Sequence, residues 1–275
     1  MRKNVLYFLI GCFCCFAAAC HHTRNISPVF PLPPAQQVTG TSFYNTVAAW
    51  PWKQRDSLAV REILSGNIPS FFKKFVAIHS EITDSAGIVH RAVFYVSPDY
   101  LCTGTDDDWA RIPLTPMAAQ KIADSFQCFL PTRKMAGLIH EQAQVRLEPV
   151  PMYAFRDSSI TMWQHHLIIE GQRKGRTGLI SGIKKDVVIT GKLLPPAKPG
   201  RVAIFGWHRL NGTPIQPLYT GHVNWYVDYS HGIRLVSRNI IVNGRQMDYT
   251  AVLKHPVYKQ LLCDEEDCSF LRYAY

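Results

Sequence analysis

Beyond its first twenty residues the sequence has no hydrophobic run long enough to cross a bilayer, which takes about 20 consecutive apolar residues. It has no internal repeat, which excludes a stacked-repeat architecture. Acidic residues are few: 20 Asp and Glu stand against 30 Lys and Arg, for a formal charge of +10. That balance suits anionic partners such as phospholipid head groups, teichoic-type polymers or acidic glycans, and it is equally what a solvated basic surface without a partner shows.

The one apolar run is at the start. Arg2 and Lys3 precede an uncharged stretch from Val5 to Ala19, followed by Cys20. The run is short for a membrane span and fits the apolar region of an export signal. Ala17-Ala18-Ala19-Cys20 resembles the lipobox of bacterial lipoproteins, although Ala17 stands where that motif usually has Leu. The resemblance implies cleavage before Cys20 and lipid on that cysteine, with several acyl chains giving stable attachment. Ordinary secretion with cleavage after an alanine and an uncleaved anchor are the alternatives. In a bacterium with two membranes, His21 at the second mature position favours the outer one. Residues 1–19 are thus read as a signal peptide and 20–40 as a proline-rich tether (Pro28, Pro31, Pro33, Pro34). Removal of Arg2 and Lys3 leaves a charge of about +8, and an exported address argues against nucleic acid as the partner.

Cys12, Cys14 and Cys15 leave with the signal and Cys20 takes lipid, so four cysteines remain: Cys102, Cys128, Cys263 and Cys268. An even number in an oxidising compartment suggests two disulfides, Cys263 with Cys268 and Cys102 with Cys128. If both form, no thiol is left as a nucleophile.

Residues 41–275 read as one α+β domain, a helical N-terminal part (41–149) packed on a β-rich C-terminal part (150–275). Asp56 or Ser57 can cap a helix with Ala59, Val60, Ile63 and Leu64 on one face, ended by Gly66 to Pro69. Phe75–Ile82 and Ile88–Val96 read as a hairpin. Thr115-Pro116 and Thr132 cap two further helices. His140 falls outside the apolar stripe of the second and reads as a surface histidine. After Val150 the strands are Asp186–Thr190, Arg201–Trp207, His222–Val227 and Ile233–Val242. Asn243-Gly244 turns the last one back on Arg245–Met247, and Asp248 caps a closing helix.

The densest polar cluster comprises Trp207-His208, Gln216 and the run from His222 to Arg234. In a strand, His222, Asn224, Tyr226 and Asp228 share one face, with Val223, Trp225 and Val227 packed in the core. Asp228 could orient His231 or His222 for acid–base work. A metal reading takes His222, Asp228 and His231 as ligands, with His208 as a possible fourth. A divalent ion such as Zn²⁺ with open water positions would suit hydrolysis. Structural hydrogen bonding without catalysis is the third reading. Lys185, Gln216, Tyr226 and Arg234 are the candidates for holding substrate. Among weaker features, Asp106-Asp107-Asp108 reads as a solvated turn without EF-hand spacing. His165-His166 reads as exposed. Lys184-Lys185-Asp186 reads either as a cation near the cleft or as an edge charge.

Ser230-His231-Gly232-Ile233-Arg234 resembles the Ser-His-Gly-Cys-(Ile/Val)-Arg motif of L,D-transpeptidases, which cross-link bacterial peptidoglycan, with Trp207-His208 near the place of that family's upstream His-Gly. The family's nucleophilic cysteine is missing, since Gly232 is followed by Ile233, so thiol chemistry cannot operate there. Adjacent residues on a strand face opposite ways, so Ser230 is a poor substitute. Several segments are similar to secreted microbial proteins of unassigned activity: Ser97 to Leu101, Lys184 to Val188, Gly206 to His208 with Pro214 to Pro217, and Tyr226 to Gly232. Two functions are expected: an envelope hydrolase or transferase acting on cell-wall peptide or glycan, or a non-catalytic lipoprotein binding an anionic polymer or a protein.

Overall fold

The computed structural model describes residues 28–275, so the expected signal, its cleavage site and Cys20 lie outside the described residues. Residues 28–39, expected in the tether, lie against the body. The Phe30 ring sits among Phe72, Phe75 and Phe126, and Asn67 donates to the Val38 carbonyl. The partly buried Phe30 ring contributes less than the roughly 1.5–3 kcal/mol of a fully buried one, and the Asn67 bond adds to it.

Helices α1 (Gly40–Val47) and α2 (Trp52–Leu64) open the domain. Thr39 caps α1, and the Asp108 carboxylate accepts from Thr41 in its first turn, which gives the acidic run a capping role. α2 starts earlier than expected, with Pro51 as its cap. Asp56 is not the cap; it is buried inside α2 and accepts from the backbone and hydroxyl of Thr115.

The hairpin β1 (Val76–Thr83) and β2 (Val89–Val96) follows, then β3 (Cys102–Gly104) and β4 (Trp109–Arg111). Thr115 caps α3 (Pro116–Ser125), which leads through β5 (Cys128–Phe129) into α4 (Arg133–Gln142), capped by Thr132. β6 (Val145–Arg146) precedes α5 (Ser159–Arg173), a fifteen-residue helix in a region expected to be mostly strand. Its buried face carries Ser159, Thr161, His165 and His166 besides Met162 and Ile169, so polar residues hide the helical period.

The remaining elements are β7 (Ile180–Ser181), β8 (Lys185–Val188), β9 (Arg201–His208), β10 (Pro214–Val223), β11 (His231–Gly232), β12 (Val236–Ser237), β13 (Asn239–Val242), β14 (Arg245–Asp248), α6 (Tyr249–Lys254) and α7 (Lys259–Leu262). The α+β class holds. One sheet has the order β14-β13-β2-β12-β5 with β1 also on β2, so strands from both halves of the chain share it. A second sheet, β10-β9-β8-β11, is antiparallel except for β11 beside β8. Their apolar faces meet in one core containing Phe94, Phe129, Val187, Ile204, Leu235 and Ile240. Among the described residues no helix is long and apolar enough to cross a membrane.

Of the two expected disulfides, Cys263–Cys268 is formed. Cys102 and Cys128 are free, because β3 pairs with β4 while β5 lies in the large sheet. Burial pushes both thiols well above their usual range, so they are poor nucleophiles through desolvation rather than through bridging.

Candidate active site

Two consecutive left-handed residues decide which side chains meet. Gly206 and Trp207 have φ of 106° and 55°, which breaks the alternation of β9 just where Gly206 pairs with Lys185. The Trp207 indole turns toward Lys185, with the ammonium 4.9 Å from the ring centre, and donates to the Ile183 carbonyl. His208 consequently lies on the opposite face and stacks on His140 of α4, ring centres 4.2 Å apart. His208 therefore does not join His222, Asp228 and His231. His140 is buried, not a surface residue, because that stack covers it.

The expected strand His222–Val227 is also different: β10 ends at Val223, and a turn carries residues 224–230 into β11. Trp225 is accordingly 53% exposed rather than in the core. The turn still delivers Asp228 next to β11. Its Oδ1 accepts from the backbone and hydroxyl of Ser230, and its Oδ2 from Arg156 at 3.2 Å and Tyr226 at 3.3 Å. Burial alone would raise its pKa, but His231, the Ser230 bonds and Lys185 outweigh that and hold it down to about 2.

His231 pairs with Lys185 across β11 and β8, so the two share a face. Its ring is 1% exposed, and neither nitrogen has a hydrogen-bond partner among the described residues. Ring centres of His222 and Tyr226 each lie 6.1 Å from it, and 4.9 Å from each other. Burial lowers the His231 pKa to about 4. It likewise lowers that of His222 and of Lys185, while burial and Asp228 raise Tyr226 to about 12. At neutral pH the cluster thus holds a carboxylate, uncharged imidazoles and a protonated phenol, with the basic side chains of Lys185 and Arg156 beside them.

The expected metal site is not assembled. Among the described residues no three His, Cys, Asp or Glu side chains are placed to hold an ion, and both Asp228 oxygens are committed to protein donors. Arg234 is structural instead of a substrate ligand. It is fully buried, donates to the Ser97 and Ile180 carbonyls and covers the Tyr100 ring at 4.2 Å. Gln216 shares a β-row with Lys185 and His231 but lies two strands from Lys185, roughly 10 Å, and three from His231, roughly 14 Å. Its amide donates to the Pro217 carbonyl. Lys184-Lys185-Asp186 is not an edge charge, because β8 lies between β9 and β11 and all three residues are buried. Ile233, at the position of the transpeptidase cysteine, is fully buried in the core.

Sequence reasoning missed Arg156, and it weighed Ser230, Lys184 and His165 without the roles they take. Ser230, two residues after Asp228, is a legible Asx-turn partner. Arg156 arrives from a loop 72 residues upstream with no local signal. Lys184 is buried and donates to the Tyr229 carbonyl, and burial lowers its pKa to about 7. His165 is buried against the Tyr229 ring at 4.8 Å, not exposed, because α5 turns it inward. No family model matches the chain, and no curated protein or solved structure matches it.

Proposed function

We propose that the protein is a cell-envelope enzyme, a hydrolase or transferase acting on cell-wall peptide or glycan, with His231 as its proton acceptor. The observation that carries this reading is the His231 ring: buried, uncharged and without a partner on either nitrogen, between His222, Tyr226 and Lys185. An imidazole free on both nitrogens can take a proton from a water or hydroxyl that reaches it. Asp228 supplies the compensating charge, while Lys185 and Arg156 offer positive potential to a developing oxyanion. Tyr226, kept protonated, is a hydrogen-bond donor beside them. The Cys263–Cys268 bridge suits an oxidising compartment, and the signal-like N-terminus with lipid on Cys20 completes the envelope address in this proposal.

The near-complete closure over His231 favours a second reading, in which the basic surface binds an anionic envelope polymer without turnover. Digestion of purified peptidoglycan by the wild-type protein and by His231→Gln separates the two. Fragments released by the wild type, and at least about a hundredfold fewer by a folded His231→Gln, are expected for the enzyme. Equal release by both proteins defeats it. Co-sedimentation with peptidoglycan but no release favours the second reading.

A further inference from the structure

Beside the histidine cluster lies a cavity of about 270 Å³ whose walls include Trp50, Trp52, Arg55, Asp157, Trp225 and Tyr226. Three indoles around one small cavity are not explained by the core, because Trp50 and Trp225 are 39% and 53% exposed. The Arg55 guanidinium is buried at the cavity and poorly paired. It donates to the Asp157 carbonyl at 3.3 Å and to Asp56 at 3.4 Å, both long contacts, and its Nε has no partner among the described residues. Asp56 divides its oxygens: Oδ2 accepts the shorter bonds from Thr115, and Oδ1 keeps a long, buried ion pair with Arg55. That long pair offsets the charge but leaves donors of the buried guanidinium unused, which is costly unless a further acceptor completes them, and guanidinium geometry matches a carboxylate.

We infer that this cavity is a subsite for one carboxylate-bearing sugar residue, its ring held against the indoles and its carboxylate on Arg55. The inference rests on the glycan form of the proposed function and names the substrate class. Aromatic walls take the C–H face of a sugar ring, and the exposed Asp157 carboxylate accepts its hydroxyls. A cavity of this size, at the small end for a ligand site, holds one ring rather than a run of them. Tyr226 belongs both to the cavity and to the cluster, where its hydroxyl meets Asp228. A sugar seated here therefore places its neighbouring linkage toward His222 and His231.

The test uses tryptophan fluorescence of the full chain titrated with two disaccharides that differ by one lactyl ether, which carries the carboxylate. One is N-acetylglucosamine linked to N-acetylmuramic acid; the other is di-N-acetylchitobiose. The acidic disaccharide is expected to bind about tenfold more tightly, a difference of about 1.4 kcal/mol. Trp225→Ala is expected to weaken both by about tenfold, and Arg55→Lys to erase most of the preference, since lysine cannot reproduce the bidentate fork. Equal affinity for the two sugars overturns the inference, as does binding of neither or an affinity unchanged in Trp225→Ala. If Arg55→Lys does not fold, the wild-type comparison and Trp225→Ala still decide. The readout needs no turnover. Selective binding without peptidoglycan digestion removes only the enzymatic reading, whereas digestion without selective binding removes only the subsite.

Discussion

A buried imidazole with no partners is tolerated only while it stays neutral, and that condition sets the pH behaviour of His231. Its pKa near 4 means that protons compete with its role as acceptor only in acid. The rate of peptidoglycan digestion is therefore expected to stay flat through pH 6.5 and to fall on an acid limb centred near 4, read from a pH–rate profile. A limb at the ordinary histidine value would mean that the exposed face of the cluster, not His231, takes the proton. The sequence showed His222, Tyr226, Asp228 and His231 as a dense polar run, and the structure brings these four together. It could not show that two left-handed residues in β9 carry His208 away, because a positive φ at Trp207 has no mark in residue type.

Caps and hairpin turns account for the elements that were legible. Thr115, Thr132 and Asp248 each cap a helix through their own side chains, and Asn243-Gly244 closes β13 on β14, all chemistry contained within a few residues. The helix α5 was hidden because its orientation is fixed by distant charge. Arg111 of β4, fully buried, is held by Asp99 and by Glu170 of α5 at 2.7 Å, and its ring-stacking partner is Trp109 at 4.7 Å. Removing one member of such a buried network strands the others. Asp99→Ala is expected to cost about 3–5 kcal/mol in urea unfolding. It should also loosen α5 and the His165 it carries. A loss below about 1 kcal/mol would show that apolar packing alone seats the helix.

Across the whole molecule, several histidines are buried uncharged. Burial holds His140, His208 and His231 near 4 and His165 near 2, all below the unfolded value of 6.5. Above 6.5 both states are neutral and the full stability is present. As pH falls through 6.5 the unfolded chain takes up protons first, so stability drops until the folded values are passed. Asp186, raised by burial to about 7, and Asp56, also raised by burial, work in the opposite sense but are two groups against six histidines once His166 and His222 are included. Thermal melts are expected to show a loss of stability from pH 6.5 toward 4, at about 1.4 kcal/mol per pH unit for each proton taken up. A flat profile would contradict the burial of these rings. Alkylation of the native protein followed by peptide mapping is expected to leave Cys102 and Cys128 unmodified until denaturant is added, with Cys263 and Cys268 found joined.

The alternating apolar strands made the α+β class readable, whereas long-range pairings such as β2 with β12 and β13 leave no local trace. One such pairing involves Tyr273. Its hydroxyl donates to the Val188 carbonyl and accepts from the Ala203 amide, and its own amide donates to Gln120, 153 residues earlier. The paired strands β8 and β9 thus wait, during synthesis, for a ring made 70 residues after Ala203. A nascent chain lacking that ring has two backbone groups of this sheet still open to water. Such a chain cannot complete this sheet until residue 273 has been made.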